Sequence, residues 1–114
     1  MLVSLQHTAT AYGSGNVEVF ATPAMIALME QACMESVAEF LPEENVTVGT
    51  EVNITHLRAT AVGEAVFCTT ELIDVIGREL LFEVQASDSK GIIGKGTHRR
   101  FIVNKVSFMN RLNQ

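Results

Sequence analysis

Thr22-Pro23-Ala24-Met25-Ile26-Ala27-Leu28-Met29-Glu30-Gln31-Ala32-Cys33-Met34-Glu35-Ser36-Val37-Ala38-Glu39-Phe40 is the stretch on which the fold turns. Thr22-Pro23 is a strong helix start, with Thr as N-cap and Pro at the first helical position. Pro42 and the polar Glu43-Glu44-Asn45 end it, so the pattern predicts one helix from about Pro23 to Phe40. At about 100° per residue, Ile26, Cys33, Met34 and Val37 fall in one narrow sector with Glu30 at its centre, while Glu35 and Glu39 point to the opposite side. A carboxylate facing an apolar interior is costly unless a partner or hydrogen bond compensates it. Glu30 is therefore the first candidate for a reacting group, set against the plainer role of a buried acid tied up by a neighbouring Arg or Lys.

Beyond this helix the period changes to two. Val46, Val48, Val52, Ile54 and His56 share one strand face, and Thr47, Glu51, Asn53 and Thr55 the other. After a turn near Gly63, Ala65 to Ile76 is rich in strand formers but apolar on both parities, which predicts a bulge or burial on both faces. Gly77-Arg78 makes a tight hairpin connection, and Leu80, Phe82, Val84 and Ala86 then alternate with Glu79, Glu83 and Gln85. Ser89-Lys90-Gly91 turns the chain into a last strand over about Ile92 to Asn104, and the tail carries the makings of a short amphipathic helix. Upstream, Ser4 to Ala11 alternates weakly as a first strand, and Tyr12-Gly13-Ser14-Gly15-Asn16 is a flexible loop. One early helix followed by strands joined by short turns is an α+β pattern with an antiparallel sheet. So apolar a helix needs cover around most of its circumference, so the sheet should curl around it and leave an edge for a second copy.

The chain has 114 residues, enough for a single domain spanning 1–114 that buries roughly two thirds of its unfolded surface. Its net charge of −5 offers no basic excess to displace phosphate counterions, which argues against a nucleic-acid partner. No segment approaches the ~20 apolar residues that cross a bilayer, and the first residues lack a signal-peptide pattern. Cys33 and Cys68 have apolar or small neighbours, as free thiols in a reducing cytoplasm would. A cytoplasmic protein with no membrane contact is expected.

His56 extends the apolar face of its strand, so its imidazole should point inward. The alternatives are a core histidine bonded to a carbonyl and a working side chain. An inward acid, an inward imidazole and a hydroxyl at a helix start together supply a base, a polarising group and an orienting group, the parts of a hydrolytic site. Other motifs fail. Gly94-Lys95-Gly96 lacks the rest of a phosphate loop. His7, His56 and His98 stand far apart with no metal-ligand spacing, and no Gly-x-Ser-x-Gly elbow occurs. Met25, Met29 and Met34 are core filler.

Four stretches carry a resemblance. They are Val19-Phe20-Ala21-Thr22 leading into Leu28-Met29-Glu30-Gln31-Ala32-Cys33, then Val48-Gly49-Thr50, then Thr55-His56-Leu57-Arg58-Ala59-Thr60-Ala61-Val62-Gly63, and Ile93-Gly94-Lys95-Gly96-Thr97-His98-Arg99-Arg100. With this spacing the chain resembles the hotdog-fold acyl-CoA thioesterases, in the branch of fluoroacetyl-CoA thioesterase. The resemblance implies a sheet wrapped around one long central helix and subunits paired edge to edge, as a homodimer or higher oligomer with sites at the interface. It implies catalytic roles for Thr22, Glu30 and His56 and puts the family's glycine near the reacting carbonyl at Gly49. The substrate would be a small acyl-CoA, with no cofactor besides and no metal. Among the cations available for the CoA phosphates, Arg58, Lys95, Arg99 and Arg100, the family's strand motif selects Arg100. The loop Tyr12 to Asn16 departs from the fluoroacetate-specific pattern: it keeps an aromatic at Tyr12 but is otherwise small and polar where that enzyme has an aromatic lid. What carries over is thioester hydrolysis rather than fluoroacetyl specificity. A non-catalytic acyl-CoA binding module of the same fold is the alternative. A hydratase is a poorer match, because Asp74 and Asp88 both lie near turns.

Overall fold

The computed structural model describes all 114 residues. A 3₁₀ turn over Leu5–His7 and the one-turn helix α1 (Ala9–Tyr12) precede the long helix α2 (Thr22–Ala38). Four strands follow, β1 (Asn45–His56), β2 (Phe67–Ile76), β3 (Glu79–Asp88) and β4 (Gly91–Asn104), and then α3 (Lys105–Leu112). The strands form one antiparallel sheet in the order β1-β4-β3-β2, which leaves β1 and β2 as its edges.

The sheet packs against α2 through the residues whose alternation was clearest. Leu80, Phe82, Val84 and Ala86 of β3 are all buried, against Met25, Met29, Cys33 and Val37 of the helix. Full burial of a side chain such as Phe82 or Met29 contributes roughly 1.5–3 kcal/mol each. The hairpin between β2 and β3 turns on Gly77, whose φ of +60° suits a residue without a Cβ. The expected bulge in β2 occurs between Leu72 and Asp74. The tail is helical, with the Asn104 side chain accepting from the Ser107 N–H at 3.0 Å.

The segment expected as a first strand is not one. Within it the Thr8 hydroxyl donates to the Leu5 carbonyl and accepts from the Ala11 N–H, and the Ser4 N–H donates to His7 Nδ1. Those local bonds compete successfully with a ladder, and only isolated bridges remain, such as Thr8 with Phe20. The helix ends at Ala38, short of Phe40, and its N-cap is Ala21, not Thr22.

β1 departs from expectation in a way that matters for function. Its pairing with β4 slips between Gly49 and Glu51, so Thr50 is an extra residue and the parity reverses there. Val46 and Val48 lie on the opposite face from Val52, Ile54 and His56. Thr47 and Gly49 take the helix side instead, and Thr47 is buried. A second slip between Ala86 and Ser87 sets His98 opposite Phe82 and Arg100 opposite Leu80. Both of those side chains therefore join the buried face.

Candidate active site

The predicted residues form two groups along α2. At the helix start, Thr22 occupies the first turn and leaves its hydroxyl free of capping. That hydroxyl lies 2.8 Å from His56 Nδ1, at the end of β1. His56 Nε2 is buried and has no hydrogen-bond partner. Burial pushes the imidazole below its ordinary value, against a smaller opposing effect of the Arg58 backbone, so the ring is neutral at pH 7. An open depression of about 300 Å³ lies against Thr22 and His56, with Val19, Phe20, Leu57 and Arg58 in its lining.

The chain just past His56 is clamped. Arg58 Nη2 donates to Asp88 Oδ1 at 2.7 Å, the Thr60 hydroxyl to Asp88 Oδ2 at 2.9 Å, and the Lys90 N–H to Oδ1 at 2.8 Å. Burial opposes the charged form of Asp88, but these donors outweigh it and hold the carboxylate below its ordinary value.

The second group surrounds Glu30. Eight residues beyond Thr22, it lies about 12 Å further along the helix axis. Its carboxylate stands beside Gly49, and a Cβ built there would come within 2.8 Å of Glu30 Oε2, 3.2 Å of His98 Cε1 and 3.4 Å of Arg100 Nη1. Any side chain at this position would displace the carboxylate. Arg100 Nη1 is 3.9 Å from Glu30 Oε2. The guanidinium is anchored by Thr47, through Nε to Oγ1 at 2.8 Å and Nη2 to the carbonyl at 2.9 Å, and by His98, through Nη1 to Nε2 at 3.1 Å. Burial pushes Arg100 below its ordinary value, with Glu30 and Cys33 acting the other way.

Glu30 does not occupy the centre of the buried stripe. Ala24, Met25, Met29, Cys33 and Val37 are the buried residues, and Glu30 lies at their margin between half-buried Ile26 and exposed Met34. Its side chain is 42% exposed, because the sheet of one chain covers the helix only as far as β1. The imidazole beside Glu30 within the chain is His98, not His56. His98 and Thr47 are the residues sequence reasoning missed, since two one-residue slips in register decide which face they take.

The cations separate equally clearly. Arg100 is turned inward and cannot meet a phosphate in solvent. Arg99 pairs with Glu51 and Glu79 on the outer sheet face, and Arg58 sits at the depression, paired with Asp88. Lys95 helps to floor a larger trough of about 720 Å³ on the outer face, with Asn53, Thr69 and Glu83. That trough holds none of Thr22, Glu30, His56, Gly49 and Arg100, so size alone does not locate the site. No three His, Cys, Asp or Glu side chains converge as metal ligands. No helix is long and apolar enough to cross a membrane.

A long helix packed against one curved antiparallel sheet is the hotdog fold. Residues 3–106 match the family model described as fluoroacetyl-CoA-specific thioesterase, and the chain belongs to that family. The fluoroacetyl-CoA thioesterase of Streptantibioticus cattleyicolor is 40% identical over 97 residues, 85% of this chain and 70% of that protein. The structure of the fluoroacetyl-CoA thioesterase FlK superposes with a TM-score of 0.94 at 35% identity, covering 100% of this chain and 89% of that one. A hot-dog-like protein from Thermanaerovibrio acidaminovorans is 26% identical with a TM-score of 0.89, covering 98% and 83%.

Proposed function

We propose that this protein hydrolyses a small acyl-CoA thioester to the free acid and CoA, acting in the cytoplasm as a homodimer whose sites each combine residues of two copies. The relatives support the substrate class: the curated one is named for fluoroacetyl-CoA, and a FlK variant has been solved with fluoroacetate and CoA. The observation that carries the chemistry is the Thr22–His56 pair, one ring nitrogen committed at 2.8 Å and the other buried without a partner. An imidazole so held has one open valence for a substrate atom.

With the Thr22 hydroxyl donating to Nδ1, the ring carries its proton on Nε2 and presents it to the carbonyl oxygen or the departing sulfur. Glu30 attacks the thioester carbonyl, either directly or through a water it deprotonates. The carbon–sulfur bond then breaks. On the water path the thiolate takes the proton that Glu30 had removed; on the direct path a water hydrolyses the Glu30 acyl anhydride, frees the carboxylate and supplies that proton. Gly49 lets the acyl carbonyl approach the carboxylate, and Arg100 contributes to substrate binding as the fixed cation beneath both.

Within one chain the two groups stand about 12 Å apart along α2. Glu30 is half open beside exposed Met34 and Val52. A second copy across this margin would cover the apolar side chains and bring one copy's Glu30 to the other's His56. The test is thiol release from a panel of acyl-CoAs, acetyl to aromatic, with Glu30→Gln and His56→Ala. Turnover should fall by roughly 10²–10⁴-fold in each. Mixing the two inactive variants should restore activity through hybrid dimers that hold one intact site. Full rates in both variants, or acyl-CoA binding without thiol release by the unmodified protein, would refute hydrolysis at this site. Mixtures that stay inactive would refute the shared site.

A further inference from the structure

The three acceptors that hold Arg100 are all neutral: the Thr47 hydroxyl, the Thr47 carbonyl and His98 Nε2. A carboxylate in any of those places would pair with the guanidinium and draw its charge away from Glu30. Neutral acceptors fix the group without cancelling it.

His98 is the unusual member, because an imidazole can be an acceptor or a donor at either nitrogen. Here the backbone decides. His98 is 2% exposed, and its Nδ1 lies 2.8 Å from the Glu51 carbonyl, an atom that only accepts. The proton must therefore be on Nδ1, and Nε2 is left with a lone pair, which accepts from Arg100 Nη1 at 3.1 Å. Nη1 is also the nitrogen that faces Glu30, 3.9 Å from Oε2.

We propose that His98 is a positioning residue for hydrolysis: the Glu51 carbonyl locks its tautomer, and its Nε2 lone pair orients Arg100 so that the free Nη1–H is turned on Glu30 and the space at Gly49. The inference rests on the reading of Glu30 as the reacting carboxylate. It also accounts for the bulge in β1, since the Glu51 carbonyl that sets the tautomer lies immediately after the extra residue Thr50.

Two substitutions separate positioning from mere packing. In His98→Asn the short amide keeps a donor for the Glu51 carbonyl but does not reach Arg100. In His98→Gln the longer amide reaches Arg100 with an acceptor oxygen. Misalignment of about 1 Å at a reacting centre costs up to about 10²-fold. His98→Asn should thus lower kcat roughly 10- to 100-fold, with a smaller rise in KM, and His98→Gln should recover most of that loss at similar thermal stability. Imidazole ¹⁵N spectra of the unmodified protein should show His98 protonated at Nδ1, a readout that needs no variant to fold. An Nε2-protonated ring, unchanged kcat in His98→Asn, or equal losses in both variants would overturn the proposal. Glu30→Gln is measured alongside: if it keeps full turnover, the underlying site reading fails, whereas an inactive Glu30→Gln beside a fully active His98→Asn removes only the role of His98.

Discussion

At its first turn α2 offers Thr22 to a half-open imidazole; some two turns later it holds Glu30 above a buried guanidinium. The first of these groups is sparse. His56 has one side-chain hydrogen bond and one empty nitrogen. In the second, Arg100, His98 and Thr47 satisfy one another, and the carboxylate alone has no hydrogen bond of its own, only Arg100 at 3.9 Å. In each group the side chain left unsatisfied is the one proposed to react, and the satisfied neighbours fix its position. A buried polar atom left unpaired is costly, which applies to His56 Nε2, whereas Glu30 remains partly open to solvent.

The contrast can be broken most directly at Gly49. A methyl group there meets the mobile end of Glu30 first, so Gly49→Ala should displace the carboxylate while changing folding stability by no more than about 1 kcal/mol. Turnover should fall roughly 10²-fold. Gly94→Ala, towards the His56 end, instead drives a methyl against Met25 Sδ and Cε and the Thr55 carbonyl, so its effect should appear in the melting temperature. Equal stability losses in the two variants would contradict the division between them.

Asp88→Asn sharpens the comparison from the other side. It removes the charge that gathers Arg58, Thr60 and the Lys90 N–H behind His56. A loss of roughly 2 kcal/mol in denaturant unfolding is expected, with the Glu30 group undisturbed. Unchanged stability would show that the clamp is dispensable.

The smallest effect is a pH dependence. His56 is held below its ordinary value by burial, so between its folded value and about 6.5 the unfolded chain binds more protons than the folded one. Stability therefore rises with pH through that window and declines as pH falls below about 6.5. Melting curves from pH 7 to 5 should show this slope, and His56→Ala should flatten it.

Much of this was legible in the chain itself. The helix was, because Pro23 and Pro42 bracket an apolar run, and β3 was, because Leu80, Phe82, Val84 and Ala86 alternate without interruption. Thr22, Glu30, His56 and Gly49 could be named from residue type, spacing and resemblance, and they line the two groups described here. Ser4 to Ala11 misleads because Ser4 and Thr8 bond locally, which alternation does not reveal. Glu30 looked central because helical periodicity marks an apolar sector without saying how far a sheet reaches around it. His98 and Thr47 were hidden for a different reason. Strand parity assigns faces only while register is unbroken, and bulges in β1 and at the start of β4 each reverse it.

The extra residue at Thr50 has a further consequence. Its side chain does little besides donate to the Arg99 carbonyl at 3.2 Å, so many residues could stand there. What cannot change is the spacing. Removing Thr50 would send Gly49 and Thr47 to the outer surface and bring Val48 beneath the helix, emptying the floor under Glu30 without altering any residue that touches it. The length of this strand is thus as much a part of the proposed site as any side chain in it.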